Sequence, residues 1–245
     1  MSRPISEVAT DPLQYDTGEV VWSSEGSKSN HIRRMFLEKL TPYIQDIKGK
    51  RVIDIGCGQG WLCAEMTSKG ALTFGIDPSA NNIKAAKEEH SGLSFQQASL
   101  QDFVSNEPFD LATALMVLEH MSNAQEALAK IKSLLKPNGR LLLITGDFDK
   151  FTHPRYGYSV TTEQLTDGEV ATRTDYGERA GVIYDINRTT DVYVQAAARA
   201  GFTLLSQEPI TAPQWLADEQ PKYADFREQP LFHLFEFAVN QPNSE

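Results

Sequence analysis

Val52-Ile53-Asp54-Ile55-Gly56-Cys57-Gly58-Gln59-Gly60 is the stretch that decides the fold. Arg51 to Ile55 is a short β-branched run closed by glycine, which predicts a buried strand. Trp61 to Ser68 reads as a helix stopped by Gly70. The glycines therefore fall where a strand passes into a helix. Glycine adopts positive φ at little cost and has no Cβ, so the backbone can turn tightly and come close to a ligand above the strand end. The spacing is Gly-x-Gly-x-Gly, not the Gly-x-Gly-x-x-Gly of dinucleotide loops. Asp54 sets a carboxylate just before the loop. That suits a cationic amino acid or a ribose better than a pyrophosphate, which favours bare helix N-termini. The plain alternative for the glycines is a tight turn.

Outward from this stretch the chain alternates. Strands are predicted at Ala71–Ile76, Leu93–Ala98, Phe109–Leu115 and Arg140–Thr145, and helices at Ser79–His90 and Ser122–Lys136. The second of these helices lines up Ala124, Ala127, Leu128, Ile131, Leu134 and Leu135 on one face. Strands alternating with helices of this length imply βαβ units in a parallel sheet. Upstream, Asn30–Tyr43 reads as a helix, preceded by a polar arm. Downstream, Gly146 to Asn187 is polar, rich in aromatics and Arg, and shows no clear period. A helix at Thr189–Ala200, capped by Gly201, and strands at Phe202–Gln207 and Leu231–Val239 complete a doubly wound, seven-stranded α/β expectation. The expected division is an arm and cap helix over 1–45 and one domain over 46–245, with a substrate-covering insertion at 146–190.

The bulk numbers exclude several classes. At 245 residues, with 40% hydrophobic and 23% charged, the chain is long enough for one well-buried α/β domain and is not of disordered composition. The formal net charge of -10 disfavours RNA or DNA as the main partner. Cys57 and Cys63 are the two cysteines, too few for a disulfide framework, and no His or Cys cluster has metal-ligand spacing. No stretch resembles a signal-peptide core or a membrane span, so the expectation is a cytoplasmic protein.

Three further places carry chemistry. Gly75-Ile76-Asp77 ends the second strand, where a carboxylate can accept from both ribose hydroxyls; the alternative is that Asp77 or Ser79 caps the next helix. Ser99-Leu100-Gln101-Asp102 follows the third strand and can offer backbone N–H groups and a polar side chain to an adenine edge. His120 lies just past the fourth strand and is a candidate general base, since imidazole titrates near neutral pH. A structural role for it is the equal alternative.

Asp54-Ile-Gly-Cys-Gly-Gln-Gly60, Gly75-Ile-Asp77, Phe109-Asp110-Leu111, Val117-Leu118-Glu119-His120-Met121 and Leu135-Lys136-Pro137-Asn138-Gly139 occur in the order and spacing of class I S-adenosylmethionine-dependent methyltransferases. The set resembles the ubiquinone-biosynthesis O-methyltransferases most, over about residues 20–145, including Trp22-Ser-Ser-Glu25-Gly26 and Asn30-His-Ile-Arg33. The resemblance implies S-adenosylmethionine as cofactor and a final strand that runs antiparallel. It also implies roles. Asp54, Gly56, Cys57 and Gly58 would hold the methionine moiety, with Arg33 on its carboxylate and Arg34 as competitor. Asp77 and Pro78 would meet the ribose. Ser99, where relatives commonly carry an acid, would meet adenine with Leu100 and Gln101. Leu115 and Met116 would lie under the sulfonium.

The insertion's aromatics and Arg155, Arg173, Arg179 and Arg188 point to a planar or anionic small-molecule acceptor, methylated on O or N, in a quinone-like or secondary-metabolite biosynthesis. Candidate acceptor contacts are His153, Arg155, Tyr156 and Tyr158, with Tyr15 and Trp22 from the arm. The bland alternative is aromatics that merely pack on the sheet. Competing functions are a nicotinamide-dependent oxidoreductase, disfavoured by the glycine spacing and Asp54, a methyltransferase acting on RNA or protein, and a cofactor-binding sensor without activity. The oligomeric state is open between monomer and homodimer.

Overall fold

The computed structural model describes residues 3–12, 14, 16, 31–154, 157–166, 168–177 and 181–240. Its helices are α1 (Ile5–Ala9), α2 (His31–Ile44), α3 (Trp61–Ser68), α4 (Ala80–Glu89), α5 (Ala124–Leu134), α6 (Phe148–Phe151), α7 (Thr190–Ala200) and α8 (Gln214–Glu219). Its strands are β1 (Arg51–Ile55), β2 (Leu72–Asp77), β3 (Ser94–Gln97), β4 (Phe109–Leu115), β5 (Leu135–Gly146), β6 (Ser159–Thr166), β7 (Glu169–Asp175), β8 (Val182–Arg188), β9 (Phe202–Ile210) and β10 (Phe232–Val239). Seven strands form one sheet in the order β3-β2-β1-β4-β5-β10-β9. The five on the β3 side are parallel. β10 runs antiparallel between β5 and β9, as the family resemblance implied.

Alternation along the strands builds a core on each face. Ile53 and Ile55 turn to one side, where α5 and α7 bring Leu128, Ile131 and Tyr193. Val52 turns to the other, against Phe36 and Leu40 of α2, Leu62 of α3 and Leu216 of α8. Each such aliphatic side chain contributes on the order of 1.5–3 kcal/mol by leaving water. A five-residue offset separates expectation from structure at the start of β5. It begins at Leu135, not Arg140, because Leu135 already pairs with Phe109. Asn138 takes φ 63 inside the strand, a conformation that Asn tolerates better than most side chains.

The segment read as lacking period is a sheet. β6, β7 and β8 form an antiparallel meander. Its pattern is hidden because both faces of β7 and β8 are covered. Ala171 and Ile186 meet Ala9 of α1, while Thr172, Thr174, Asp185 and Asn187 on the opposite face are buried as well. A buried polar face defeats the rule that alternation separates inside from outside. It is held by side-chain bonds such as Asn187 Nδ2 donating to Thr172 Oγ1 at 2.8 Å. Ser6 ties α1 to β6, its N and Oγ donating to the Glu163 carboxylate at 3.1 and 2.9 Å. Among the described residues no helix is long and apolar enough to cross a membrane.

Candidate active site

The chain path reverses across the sheet between β1 and β4, and the crevice at such a switch point is where open α/β sheets take ligands. A cavity of about 470 Å³ lies there. Ile55 of β1, Ile76 and Asp77 of β2 and Leu115 of β4 bring their C-terminal ends to its wall, and Arg33 and Phe36 of α2 line it as well.

The glycine loop forms one side. Gly56, Gly58 and Gly60 have φ of 63, 53 and 83, the region only glycine enters freely. They differ in what a side chain would meet. A Cβ on Gly56 would fall 2.5 Å from Val117 Cγ2, and one on Gly60 2.5 Å from Phe95 Cζ. One on Gly58 would meet no protein atom within 4 Å, because Gly58 opens onto the cavity. Gly60 thus serves packing, Gly56 both lines the cavity and packs against Val117, and Gly58 leaves room for something that is not protein.

Asp77 stands beside this space. Its Oδ2 accepts Gly58 N at 2.9 Å, and its Oδ1 accepts Ser79 N at 2.9 Å and Asn82 Nδ2 at 3.2 Å. Burial raises its carboxyl above the usual range, and these bonds only partly counter that. A carboxylate has about four acceptor positions, so one remains for a ligand, and a second is freed where Asn82 turns away. The cap of α4 is Ser79, whose Oγ accepts Asn82 N at 3.1 Å. Asp16 of the arm adds to it, accepting from Ser79 Oγ and from Ala80 N.

Asp54 differs from expectation. It does not line the cavity; it lies one layer beneath. Its carboxylate accepts Thr113 Oγ1 at 2.6 Å and faces Cys63 Sγ at 3.8 Å. Burial pushes its pKa up to about 7 against those bonds, so it supports the loop from behind. Arg33 lines the cavity with its guanidinium 5.8 Å from the Trp61 ring centre. Burial lowers its pKa below the ordinary arginine value, which leaves a cation at neutral pH. Arg34 points outward to Glu38, Glu219 and the Trp215 ring.

Cys57, Pro78, Ser99, Leu100, Gln101, Leu115 and Met116 all line the cavity. Ser99 Oγ donates to Asp102 Oδ2 at 2.6 Å, so its hydroxyl is engaged in its own turn. Met116 holds φ 56, a strained conformation for a non-glycine residue costing on the order of 1–3 kcal/mol. Its N–H bond to Ile144 O at 2.8 Å helps to hold it there.

A family profile described as "Methyltransferase domain" matches residues 29–207. The chain belongs to this methyltransferase family. The ubiquinone biosynthesis O-methyltransferase of Rhodopseudomonas palustris strain BisB5 is 38% identical to it over 103 residues, 40% of this chain and 41% of that protein. The protein of the same name from strain BisA53 is 32% identical over 165 residues, 58% of this chain and 65% of that protein. This methyltransferase domain therefore aligns with less than two thirds of the length of these curated relatives. Among solved structures, an S-adenosylmethionine-dependent methyltransferase from Mesorhizobium loti superposes with TM-score 0.66 at 22% identity, covering 81% of this chain and 97% of its own. Magnesium protoporphyrin IX methyltransferase from Synechocystis, solved with bound S-adenosylmethionine, gives 0.58 at 15%, covering 98% and 99%. At these identities the likeness is of fold.

The acceptor side of the methyltransferase differs more from expectation. His153 is exposed, its Nδ1 set 2.8 Å from Asp149 O, and it is not on the cavity wall. Tyr158 packs edge-on against Tyr176 at 4.8 Å and receives Lys222 Nζ at 3.4 Å, also away from the cavity. Arg173 pairs with Asp175 at 3.6 Å. Tyr15, Trp22, Arg155, Tyr156 and Arg179 lie outside the described residues. His120 does line the cavity. Its Nδ1 is 3.4 Å from Gln14 Nε2 and 3.7 Å from Asp185 Oδ1. Burial lowers its pKa. Sequence reasoning missed Phe36, Trp61, Asn82 and Val117 as wall residues. The first two carry an aromatic signal, but nothing local separates a wall aromatic from a core one.

Proposed function

We propose that this chain transfers a methyl group from S-adenosylmethionine to an O or N atom of a small planar metabolite. The observation that carries the reading is that Gly58, Asp77 and Arg33 line one cavity at the switch point of the sheet. The open space over Gly58 fits a ligand laid against the loop. Arg33 would hold the methionine carboxylate, Asp77 a ribose hydroxyl, and the Ser99–Gln101 backbone the adenine edge. The cofactor supplies a methyl group on a cationic sulfonium. The protein's contribution is alignment of the acceptor with that methyl group over Leu115 and Met116, which can lower the barrier by several kcal/mol, up to about 7–11 in favourable intramolecular cases.

Ile32, Phe36, Trp61 and Met116 give an apolar wall that suits a flat acceptor. The anionic half of the expectation loses its support among the described residues, since Arg173 is paired and Arg188 is buried against backbone carbonyls. His120 is a poor base in this reading, because its ring is engaged by the arm and β8; it braces the wall. Free, buried Cys57 and Cys63 suit the reduced cytoplasm.

The test is calorimetric titration of the purified protein with S-adenosylhomocysteine and, separately, with NADH. Micromolar binding of the first alone is the expected result. Binding of NADH alone would replace the reading with a nicotinamide-dependent oxidoreductase.

A further inference from the structure

The three-stranded sheet contributes no side chain to the chemistry above, yet one of its residues holds the cavity wall from behind. Arg188 ends β8, and its side chain is fully buried. Its Nε donates to Glu169 Oε1 at 2.6 Å, the residue facing it across the β7–β8 ladder. Its Nη1 donates to Leu118 O at 2.8 Å, and its Nη2 to Met121 O at 2.7 Å and Ser122 O at 3.2 Å. Those three carbonyls belong to one turn, and Val117, His120, Met121, Ser122 and Asn123 of that turn line the cavity.

The turn follows β4 and is tied to the end of β5 by Gly146 N, which donates to Glu119 Oε1 at 3.0 Å. Within it, His120 N bonds to Val117 O at 3.0 Å and Met121 N to Leu118 O at 3.2 Å. Buried carbonyls left without donors are costly, and the fork of Arg188 supplies donors to Met121 O and Ser122 O and a second one to Leu118 O. The guanidinium suits this because its donors lie in one plane at fixed angles, an arrangement an ammonium lacks. β8 reaches the turn a second time through Asp185, 3.7 Å from His120. The Arg-rich composition that pointed to an anionic acceptor therefore has, at this position, a different use.

We propose that Arg188 is a positioning residue for the methyltransferase site: it sets the shape of the wall at 117–123 and so couples cofactor affinity to the three-stranded sheet. It acts through the turn and does not touch the ligand. The inference rests on S-adenosylmethionine occupying the cavity.

The test compares the parent protein with Arg188→Lys, Arg188→Met and Glu169→Gln by calorimetry with S-adenosylhomocysteine and by thermal melting. Arg188→Lys should bind about tenfold more weakly, a loss of one to two good hydrogen bonds' worth of order, and Arg188→Met more weakly still. Glu169→Gln keeps an acceptor for Nε and leaves the wall bonds intact, so it should melt lower yet bind within about twofold of the parent. Lysine and methionine variants that melt cooperatively and bind as the parent does would overturn the proposal and leave Arg188 a stability residue. Hydrogen exchange on the parent needs no variant. S-adenosylhomocysteine should slow exchange at 182–188 as well as at 117–123, and unchanged exchange at 182–188 overturns the coupling. A parent that binds no S-adenosylhomocysteine sinks the functional reading itself, and with it this inference.

Discussion

Asp77→Asn separates the two things that Asp77 does. In the folded chain its carboxylate accepts three protein donors, and burial still raises its pKa. The desolvation of the charge therefore outweighs the bonds made to it. An amide of the same shape can keep its oxygen on Ser79 N and Asn82 Nδ2, but then turns its NH2 toward Gly58 N–H. The lost charge-assisted bond is worth about 1.5–3 kcal/mol, and relief of the buried charge offsets much of it. The net change in stability should fall within about 1 kcal/mol, a shift in Tm of roughly 2–4 °C for a chain of this size. Ligand binding has no such offset. A ribose hydroxyl donating to a carboxylate loses about 1.5–3 kcal/mol, which is roughly a 10- to 150-fold rise in Kd. Calorimetry with S-adenosylhomocysteine and a melting curve on the same sample read both quantities. A Kd within about threefold of the parent would refute the ribose assignment and leave Asp77 as a tie between the glycine loop and α4. A collapse in Tm would instead refute the argument that burial dominates.

The glycine loop yields a contrast between neighbours. Gly58→Ala should lose about 1–2 kcal/mol of stability, from left-handed backbone strain alone, and should weaken S-adenosylhomocysteine binding, because its Cβ enters the cavity. Gly56→Ala carries the same strain plus a 2.5 Å approach to Val117 Cγ2, so its Tm should fall further; equal Tm values would contradict the packing argument. A third prediction concerns pH. Burial pushes Asp54 and Glu119 up to about 7, so between about pH 4 and pH 7 the folded chain keeps protons that the unfolded chain releases. The stability these groups contribute is whole below about pH 4 and is lost as the pH rises to about 7. His120, with a lowered pKa, acts in the opposite direction below its ordinary value of about 6.5. Asp54→Asn should therefore flatten the fall in Tm across that window relative to the parent, and a parallel pair of Tm–pH curves would show that Asp54 is ionised when folded.

The strand–glycine loop–helix at 51–68 and the alternation that follows are local facts: side-chain period and glycine placement specify them without reference to distant residues. That is why the sheet, the position of the cavity and the presence of Gly58 and Asp77 on it were legible in the chain. Even the choice between Arg33 and Arg34 needed the fold, because one residue along a helix turns a side chain by about 100°, from the cavity to Glu38 and Glu219. Asp54 reads as a ligand contact by its place in the motif. Only packing of Thr113 and Cys63 around it shows that it lies beneath the wall. The three-stranded sheet stayed hidden because one of the two covered faces of β7 and β8 is polar, so hydrophobic period carried no signal. Arg188 joins Leu118, Met121 and Ser122 across 66 to 70 residues of chain. No pattern along the sequence encodes such a pairing, since what brings a guanidinium to three carbonyls is the docking of one sheet on another.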